Sequence, residues 1–316
     1  MGTPVIFPTS VFNRAVVTAS CPPAASRGDL HVGPQASPLT PITVVVGNWN
    51  KTGYLPLLFS QYAAQDYPKD KFRIILTDSS STDYQVLGIP SPAEIAKAAA
   101  DTYGLNIEAY TVSDTGCPNI RWNVGLRRAT DGGLTILNEC DVMPVGKEFL
   151  STYAATFTGA KARNQNFVLF CLPFAIAHAC EYGGAAHTHD STARAQEIIN
   201  WLNIADFNAL SYTHYNRRDA DFGCGYPTDM AKHMQGYFEG ANGWGGAEGN
   251  FYGRVRSQKG VLLYCPSLCV LHMGNYLVTP HTFIPKAAPT ATVNYKADIT
   301  LNDSTWGTPQ CLVKEF

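Results

Sequence analysis

The chain has 316 residues, long enough for one large domain or two ordinary ones. Its 23 lysines and arginines nearly balance 25 aspartates and glutamates, and the net charge of -2 argues against nucleic acid or an anionic membrane as the main partner. No apolar run approaches the roughly 20 residues of a transmembrane helix, no signal peptide is recognisable, and nine cysteines without a C-x-x-C pair favour reduced thiols. We therefore expect a soluble, cytoplasmic protein without a transmembrane segment.

The first half of the chain alternates strand and helix patterns. Residues 1–40 are rich in Pro, Ala and Ser and predict an irregular extension. The β-branched run at 42–47 predicts a buried parallel strand, and 54–65 predicts a helix with Pro56 in its first turn. A second strand is predicted at 72–77.

The next helix carries the clearest signals. Ser91, Pro92 and Glu94 form the pattern of a capping box with proline at the first helical position, and Gly104 is a natural stop. Further strands and helices are predicted along the rest of the chain. They are a strand at 106–111, a helix at 120–129, a strand at 134–138, a helix at 191–205 and strands near 261–272.

Alternating strands and helices predict an α/β fold with a mixed, mainly parallel sheet covered by helices on both faces. Ligands of such sheets bind at the carboxyl ends of the strands. The loops that follow the first, second and fourth strands, "NWNK", "DSSSTD" and "ECDVMP", are therefore the predicted functional loops.

Glu139 and Asp141 are separated by one residue at a strand end, so an extended chain would place both side chains on one face. Two carboxylates in this position suit Mn²⁺ or Mg²⁺ that also binds substrate phosphates. The alternative is a pair of solvated acids, because such triplets are common.

Several motifs in the correct order resemble those of GT-A glycosyltransferases. "NVGLRRATDGGLTILNECDVMP" resembles the helix and strand that lead to the D-x-D motif of that fold. "ITVVVGNWNK", "AQDYP" and "IILTDSSSTD" resemble the first two strands of family 2 glycosyltransferases. The resemblance covers about half the chain and implies a GT-A (Rossmann-like) fold.

"GWGGAEGNF" resembles the G-W-G-G-E-D-D-D segment of β-1,4-galactosyltransferase-like families. The match implies that Glu248 is the catalytic base and that Trp244, Gly245 and Gly246 line the sugar site on a loop able to close. Alternatively, the segment is a tight turn whose indole fills the core. Ala247 and Asn250 replace acids of the family pattern, which leaves the sugar and the acceptor open.

The same resemblance assigns the remaining site residues. It implies that His272 binds the metal beside Asp141, and it leaves Cys269 as an alternative soft ligand. It implies that Asp78 and Glu139 hold the nucleoside, with Asn50 and Lys51 near the base and phosphates and Arg121 near the diphosphate. "HTHD" at 187–190, with His178 nearby, is a weak alternative metal site.

The predicted organisation is an extension (1–40), a GT-A domain (41–285) and a C-terminal tail (286–316). Within the domain, 41–150 is the nucleotide-sugar half and 151–285 the acceptor half. The predicted function is a metal-dependent, inverting transfer from a nucleotide-diphosphate sugar, with UDP favoured, to a carbohydrate or other hydroxyl acceptor. The alternatives are a non-catalytic GT-A-like binding domain and a sugar nucleotidyltransferase.

Overall fold

The computed structural model describes residues 39–112, 118–144, 146–176, 212–214, 223–239, 247–272, 301–308 and 312–316. The predicted helix at 191–205, most of the predicted extension, the segment 187–190 and Trp244, Gly245 and Gly246 lie outside these residues. Among the helices that are described, none combines the length and the apolar character needed to span a membrane.

The strands of the described residues form one mixed sheet. They are β1 Ile42–Asn48, β2 Phe72–Asp78, β3 Ile107–Val112, β4 Leu134–Glu139, β5 Val142–Pro144, β6 Phe167–Ile176, β7 Tyr212–His214, β8 Cys224–Pro227, β9 Val261–His272 and β10 Leu312–Lys314. The order is β10-β3-β2-β1-β4-β8-β6-β9-β5, and β7 pairs with β6.

Seven α-helices are described within the same residues. They are α1 Leu55–Ala63, α2 Asp83–Leu87, α3 Pro92–Tyr103, α4 Pro118–Arg128, α5 Phe149–Lys161, α6 Thr228–His233 and α7 Ala247–Ser257, and a short 3-10 helix at Thr52–Tyr54 precedes α1. The predicted capping box of α3 is present, and Gly104 ends the helix with a φ of 63°.

β1 lies at the centre of the parallel part of the sheet, between β2 and β4. Its register pairs Asn48 with Asp78 and Gly47 with Glu139. The carboxyl ends of these three strands therefore meet at one edge, as expected for parallel strands. This edge is called the carboxyl edge below.

Alternate residues of β1 face opposite sides of the sheet, and both sides are covered. Val44 and Val46 belong to the apolar cluster that includes α1, α3 and α5 residues. Val45 belongs to a second cluster with Trp122 and Leu126 of α4 and residues of α6 and α7. The predicted α/β fold with helices on both faces is therefore confirmed.

The region after residue 145 contains elements that the sequence patterns did not specify, among them α5, β6 and β8. Residues 312–314 form β10, which pairs antiparallel with β3 at the edge of the same sheet. This strand falls within the range predicted as a C-terminal tail, and the predicted domain boundaries stay a prediction.

Candidate active site

Asp78 is the centre of a buried hydrogen-bond cluster at the end of β2. Its Oδ1 accepts hydrogen bonds from Asn48 Nδ2 at 2.7 Å and Ser81 Oγ at 2.5 Å, and its Oδ2 accepts one from the Ser81 backbone N–H at 2.9 Å. Burial raises the pKa of Asp78 to about 6, although the hydrogen bonds from Ser81 and Asn48 oppose this shift. The cluster fixes the carboxyl group at the carboxyl edge.

Asn50 holds the loop after β1 against the loop after β2. Its backbone N–H donates to Ser81 Oγ at 2.8 Å, and its Oδ1 accepts from the Thr82 backbone N–H at 2.8 Å. Asn50 has a φ of 50°, in the left-handed region that asparagine tolerates better than most residues. Asn50 therefore shapes the predicted nucleotide loop through its hydrogen bonds to Ser81 and Thr82.

Glu139, the last residue of β4, is bound by two side chains of α4. Arg121 Nη2 donates to Glu139 Oε1 at 3.1 Å and to Oε2 at 2.9 Å, and Trp122 Nε1 donates to Oε1 at 2.7 Å. The Arg121 side chain is 1% exposed. Because the Arg121 side chain is buried, a direct contact with a diphosphate would require a rearrangement around it, so Arg121 orients Glu139 in the structure as it stands.

Asp141 lies in the turn between β4 and β5, and its side chain is 1% exposed. Lys51 Nζ donates to Asp141 Oδ2 at 2.5 Å. Burial alone would lower the pKa of Lys51, but the charge and hydrogen bond of Asp141, together with the contributions of Cys140 and Glu139, outweigh burial, and the pKa of Lys51 is raised. The two residues form a charge pair at the carboxyl edge.

Glu139 and Asp141 accept their described side-chain hydrogen bonds from different groups, although both carboxylates act electrostatically on Lys51. β4 ends at Glu139, and Cys140 and Asp141 belong to a turn, so the alternation of side chains along a strand stops there. Glu139 binds Arg121 and Trp122, whereas Asp141 binds Lys51.

The residues that could hold a divalent metal are Asp141 and His272. β5 pairs antiparallel with β9, and this register places His272 opposite Val142, the residue after Asp141. The described side chains contain no group of three or more His, Cys, Asp or Glu residues able to hold a metal. A single buried carboxylate nevertheless fits Mg²⁺ or Mn²⁺, because these ions use one or two protein carboxylates together with substrate phosphates.

Glu248 lies in the first turn of α7, where a carboxylate interacts favourably with the helix dipole. Its side chain is half-buried, whereas Phe251, Tyr252 and Val255 on the same helix are buried in the core. Arg254 is also buried and donates to the backbone carbonyls of Met234 and Gly236. α7 is thus firmly attached, and it presents Glu248 directly after the glycine-rich segment.

Two side chains that bind the acids of the carboxyl edge carry only weak sequence signals. The indole of Trp122 follows Arg121 on α4, and its bond to Glu139 depends on the helix-to-strand packing. Lys51 is distant from Asp141 in sequence, and their pairing follows from the meeting of the loops after β1 and β4. The side chains of His272 and Cys269 lie outside those that the structure describes.

The sheet order, the helices on both faces and the acids at the carboxyl edge define the GT-A glycosyltransferase fold. Three solved structures share it at low sequence identity. The mannosyltransferase PcManGT from Pyrobaculum calidifontis, in complex with GDP-Man and Mn²⁺, is 15% identical, with a TM-score of 0.52 over 78% of this chain and 60% of that one.

S. aureus TarS 1-349 in complex with UDP-GlcNAc is 18% identical, with a TM-score of 0.50 over 77% of this chain and 63% of that one. GalNAc-T7 with UDP, GalNAc and Mn²⁺ is 13% identical, with a TM-score of 0.52 over 76% of this chain and 45% of that one. The chain thus spans less than two thirds of the length of each. No protein-family model and no curated protein sequence matches the chain.

Proposed function

We propose that the protein is a metal-dependent, inverting glycosyltransferase that uses a nucleotide-diphosphate sugar. The observation that carries the proposal is the position of Asp141, a buried carboxylate in the turn that follows β4 at the carboxyl edge of a GT-A sheet. Structures with this fold contain GDP-Man and Mn²⁺ in one case and UDP, GalNAc and Mn²⁺ in another. A buried carboxylate at this edge is suited to the same class of ligand.

Asp78 and Glu139 are proposed to hold the nucleoside end of the donor. Both carboxyl groups are fixed by hydrogen bonds, Asp78 by Asn48 and Ser81 and Glu139 by Arg121 and Trp122. Fixed acceptors orient a ligand at little entropic cost. A carboxylate at the position of Asp78 suits the single N3–H donor of a uracil base, so UDP is the proposed nucleotide.

Asp141 and His272 are proposed to hold Mn²⁺ or Mg²⁺ at the diphosphate. When bound, such an ion neutralises charge on the departing nucleoside diphosphate. Asn50 keeps the loop above the base in place through its bonds to Ser81 and Thr82. Arg121 acts by orienting Glu139.

Glu248 is proposed as the general base. Its carboxylate accepts the proton of the acceptor hydroxyl while the acceptor oxygen forms a bond to the anomeric carbon. The bond from that carbon to the diphosphate oxygen breaks in the same step, and the electron pair leaves with the nucleoside diphosphate. A single displacement inverts the anomeric configuration. Trp244, Gly245 and Gly246 are proposed to cover the sugar. A cytoplasmic location of the protein is also proposed.

The test is a panel of UDP- and GDP-sugars with and without Mn²⁺, read by thermal stabilisation and by release of nucleoside diphosphate. We expect one donor to stabilise the protein only with the metal, and Asp141→Asn to abolish this effect. Glu248→Gln should retain donor binding and lose about 10²-fold or more of the turnover. Asp101→Asn and Glu148→Gln, at exposed positions, are the matched controls.

A non-catalytic sugar-binding or nucleotide-binding domain is the second candidate. Ala247 and Asn250, both in the first turn of α7, occupy positions where the resembling families carry acids. This candidate predicts metal-dependent donor binding without release of nucleoside diphosphate, whatever acceptor is supplied. Absence of any response to the nucleotide panel would contradict both candidates.

A further inference from the structure

The charge pair of Lys51 and Asp141 occupies the place at which the proposed function requires a metal. The ammonium nitrogen lies 2.5 Å from Asp141 Oδ2, and the two side chains are 24% and 1% exposed, respectively. A buried carboxylate is costly unless it is paired, and here Lys51 provides the positive charge.

We propose that Lys51 serves as a built-in counter-ion for Asp141. Its ammonium group pairs with Asp141 until the metal and the donor bind together, and it then moves to the diphosphate of the donor. This inference rests on the proposed function and concerns how the same site is regulated. Its consequence is that the metal binds weakly alone and tightly in the presence of a nucleoside diphosphate.

The distances exclude simultaneous occupancy of the same carboxylate oxygen in the observed geometry. Mg²⁺ binds carboxylate oxygen at about 2.0–2.1 Å, and two cations held at one oxygen repel strongly in a partly buried site. Metal binding at Oδ2 therefore requires the ammonium group to leave that oxygen. Asp141 is confined by the turn between β4 and β5, whereas the lysine side chain reaches the protein surface. The lysine is the group that can move.

The backbone of Lys51 stays in place, so the movement is confined to its flexible side chain. Its carbonyl accepts a hydrogen bond from the Tyr54 backbone N–H at 3.1 Å, which starts the short helix at 52–54. The preceding residue, Asn50, is bound to the loop after β2. A lysine side chain has several rotatable bonds and can swing between two anions without a change in the fold.

The other acids of the carboxyl edge already accept hydrogen bonds. Glu139 accepts from Arg121 and Trp122, and Asp78 accepts from Asn48 and Ser81. An ammonium group displaced from Asp141 therefore gains most from a new anion, and the diphosphate of the proposed donor is such an anion. This exchange couples binding of the metal to binding of the nucleoside diphosphate. Each ligand therefore raises the affinity for the other by the same factor.

The test measures Mn²⁺ binding to the full chain by calorimetry, with and without UDP, for wild type, Lys51→Met and Lys97→Met. Lys97 forms an exposed pair with Asp101 at 3.1 Å on α3, so its replacement removes the same charge far from the site. We expect Lys51→Met to bind Mn²⁺ alone about tenfold more tightly than wild type, and UDP to enhance Mn²⁺ affinity about tenfold less in this variant. Lys97→Met should behave like wild type.

Removal of Lys51 takes the positive charge of this pair away from the buried carboxylate of Asp141 and destabilises the fold. Lys51→Gln, which keeps a hydrogen-bond donor and removes the charge, is the second variant. Mn²⁺ should raise the melting temperature of either variant more than that of wild type, because the metal replaces the lost charge.

Equal Mn²⁺ affinities for wild type and both Lys51 variants would overturn the inference and leave the proposed function intact. If Asp141→Asn also bound Mn²⁺ as wild type does, the metal site itself would be wrong. Failure of every protein to bind Mn²⁺, with or without UDP, would overturn the inference and the metal-dependent function together.

Discussion

Gly47 leaves room for the hydrogen-bonded cluster of Arg121, Trp122 and Glu139. It lies in β1, directly opposite Glu139 in the register of the parallel pair. A Cβ atom added there would lie 2.7 Å from Arg121 Nε, 3.0 Å from Trp122 Nε1 and 3.1 Å from Glu139 Oε1. The absence of a side chain at residue 47 is therefore what allows the cluster of these three side chains to close over β1.

Gly47→Ala should destabilise the protein by about 1–3 kcal/mol, because the new methyl group overpacks a buried, hydrogen-bonded cluster. Urea denaturation measures the effect. The matched control is Gly253→Ala on α7, where an added Cβ meets no atom within 4 Å. That change should be neutral or stabilise by up to about 1 kcal/mol through helix propensity. Equal stabilities of Gly47→Ala and wild type would contradict the packing described for residue 47.

Asp78 should make the stability of the protein depend on pH. Its folded-state pKa of about 6 lies above that of an unfolded aspartate, because burial disfavours the charged form. The folded state therefore binds the proton more tightly. The stability that this carboxyl group contributes is fully present below its unfolded pKa of about 3.9 and is lost as the pH rises through about 6.

The side chain introduced by Asp78→Asn cannot ionise. The free energy of unfolding of this variant should therefore increase relative to that of wild type as the pH rises from about 4 to about 8. The gain should be on the order of 1–3 kcal/mol, at 1.4 kcal/mol for each pKa unit. Urea denaturation across this pH range gives the difference directly. Curves that stay parallel would show that the carboxyl group of Asp78 has an ordinary environment.

At the scale of elements, the "NVG" residues at 123–125 of this chain determine how α4 packs. Gly125 allows the helix to touch β1, since a Cβ there would lie 2.3 Å from Val45 Cγ1. Asn123, on the same helix, donates to the carbonyl of Tyr237 at 2.6 Å and accepts from the Tyr237 backbone N–H at 2.7 Å. The motif therefore fastens the helix to the sheet and to the segment that leads towards Glu248.

The segment 301–308 is fastened to the same place. Asn302 Nδ2 donates to the carbonyls of Gln235 and Tyr237, at 2.7 and 2.6 Å, and its Oδ1 accepts from the Glu239 backbone N–H at 2.8 Å. Glu239 in turn accepts from Asn123 and from the Gly307 backbone N–H. This segment, the 235–239 turn and α4 thus form one hydrogen-bonded unit.

Asn302→Ala should destabilise the protein by about 2–3 kcal/mol, because it leaves partly buried backbone groups without their partner. It should also speed amide exchange in the 235–239 turn, as seen by mass spectrometry. Thr305→Ala is the control, since its hydrogen bonds to Asp303 lie at the surface. A change in stability equal to that of the control would show that the segment does not stabilise the turn.

At the scale of the whole molecule, the central strand of the sheet is buried, whereas the strand at one edge is largely exposed. β1 is buried along its entire length and is paired on both sides. β10 is a three-residue strand at one end of the sheet, with largely exposed side chains. Short, exposed edge strands limit pairing with other chains.

Amide exchange should therefore be slowest in β1 and β4 and fast in β10. Opening of a central strand requires global unfolding, whereas an edge strand can detach locally. Exchange followed by mass spectrometry or NMR should rank these strands in that order. Protection of β10 equal to that of β1 would mean that the C-terminal strand belongs to the same cooperative unit as the centre of the sheet.

The sequence by itself determined the elements whose signals are local. Buried parallel strands such as 42–47, the capping box at Ser91 and the stop at Gly104 follow from hydrophobic pattern and backbone chemistry, and each appears in the structure. The order of these elements also predicted that the loops after β1, β2 and β4, which begin near Asp78 and Glu139, lie at the carboxyl edge, because parallel strands end on the same side.

Only the tertiary structure decided which group each acid binds. The pairing of Lys51 with Asp141, the clamp of Arg121 and Trp122 on Glu139 and the fastening of 301–308 to α4 join residues far apart in sequence. Local patterns contain no information about such contacts, because the contacts depend on sheet register and on how closely a helix approaches its strand. The turn that separates Glu139 from Asp141 likewise arises where β4 ends, and it directs the two carboxylates to different partners.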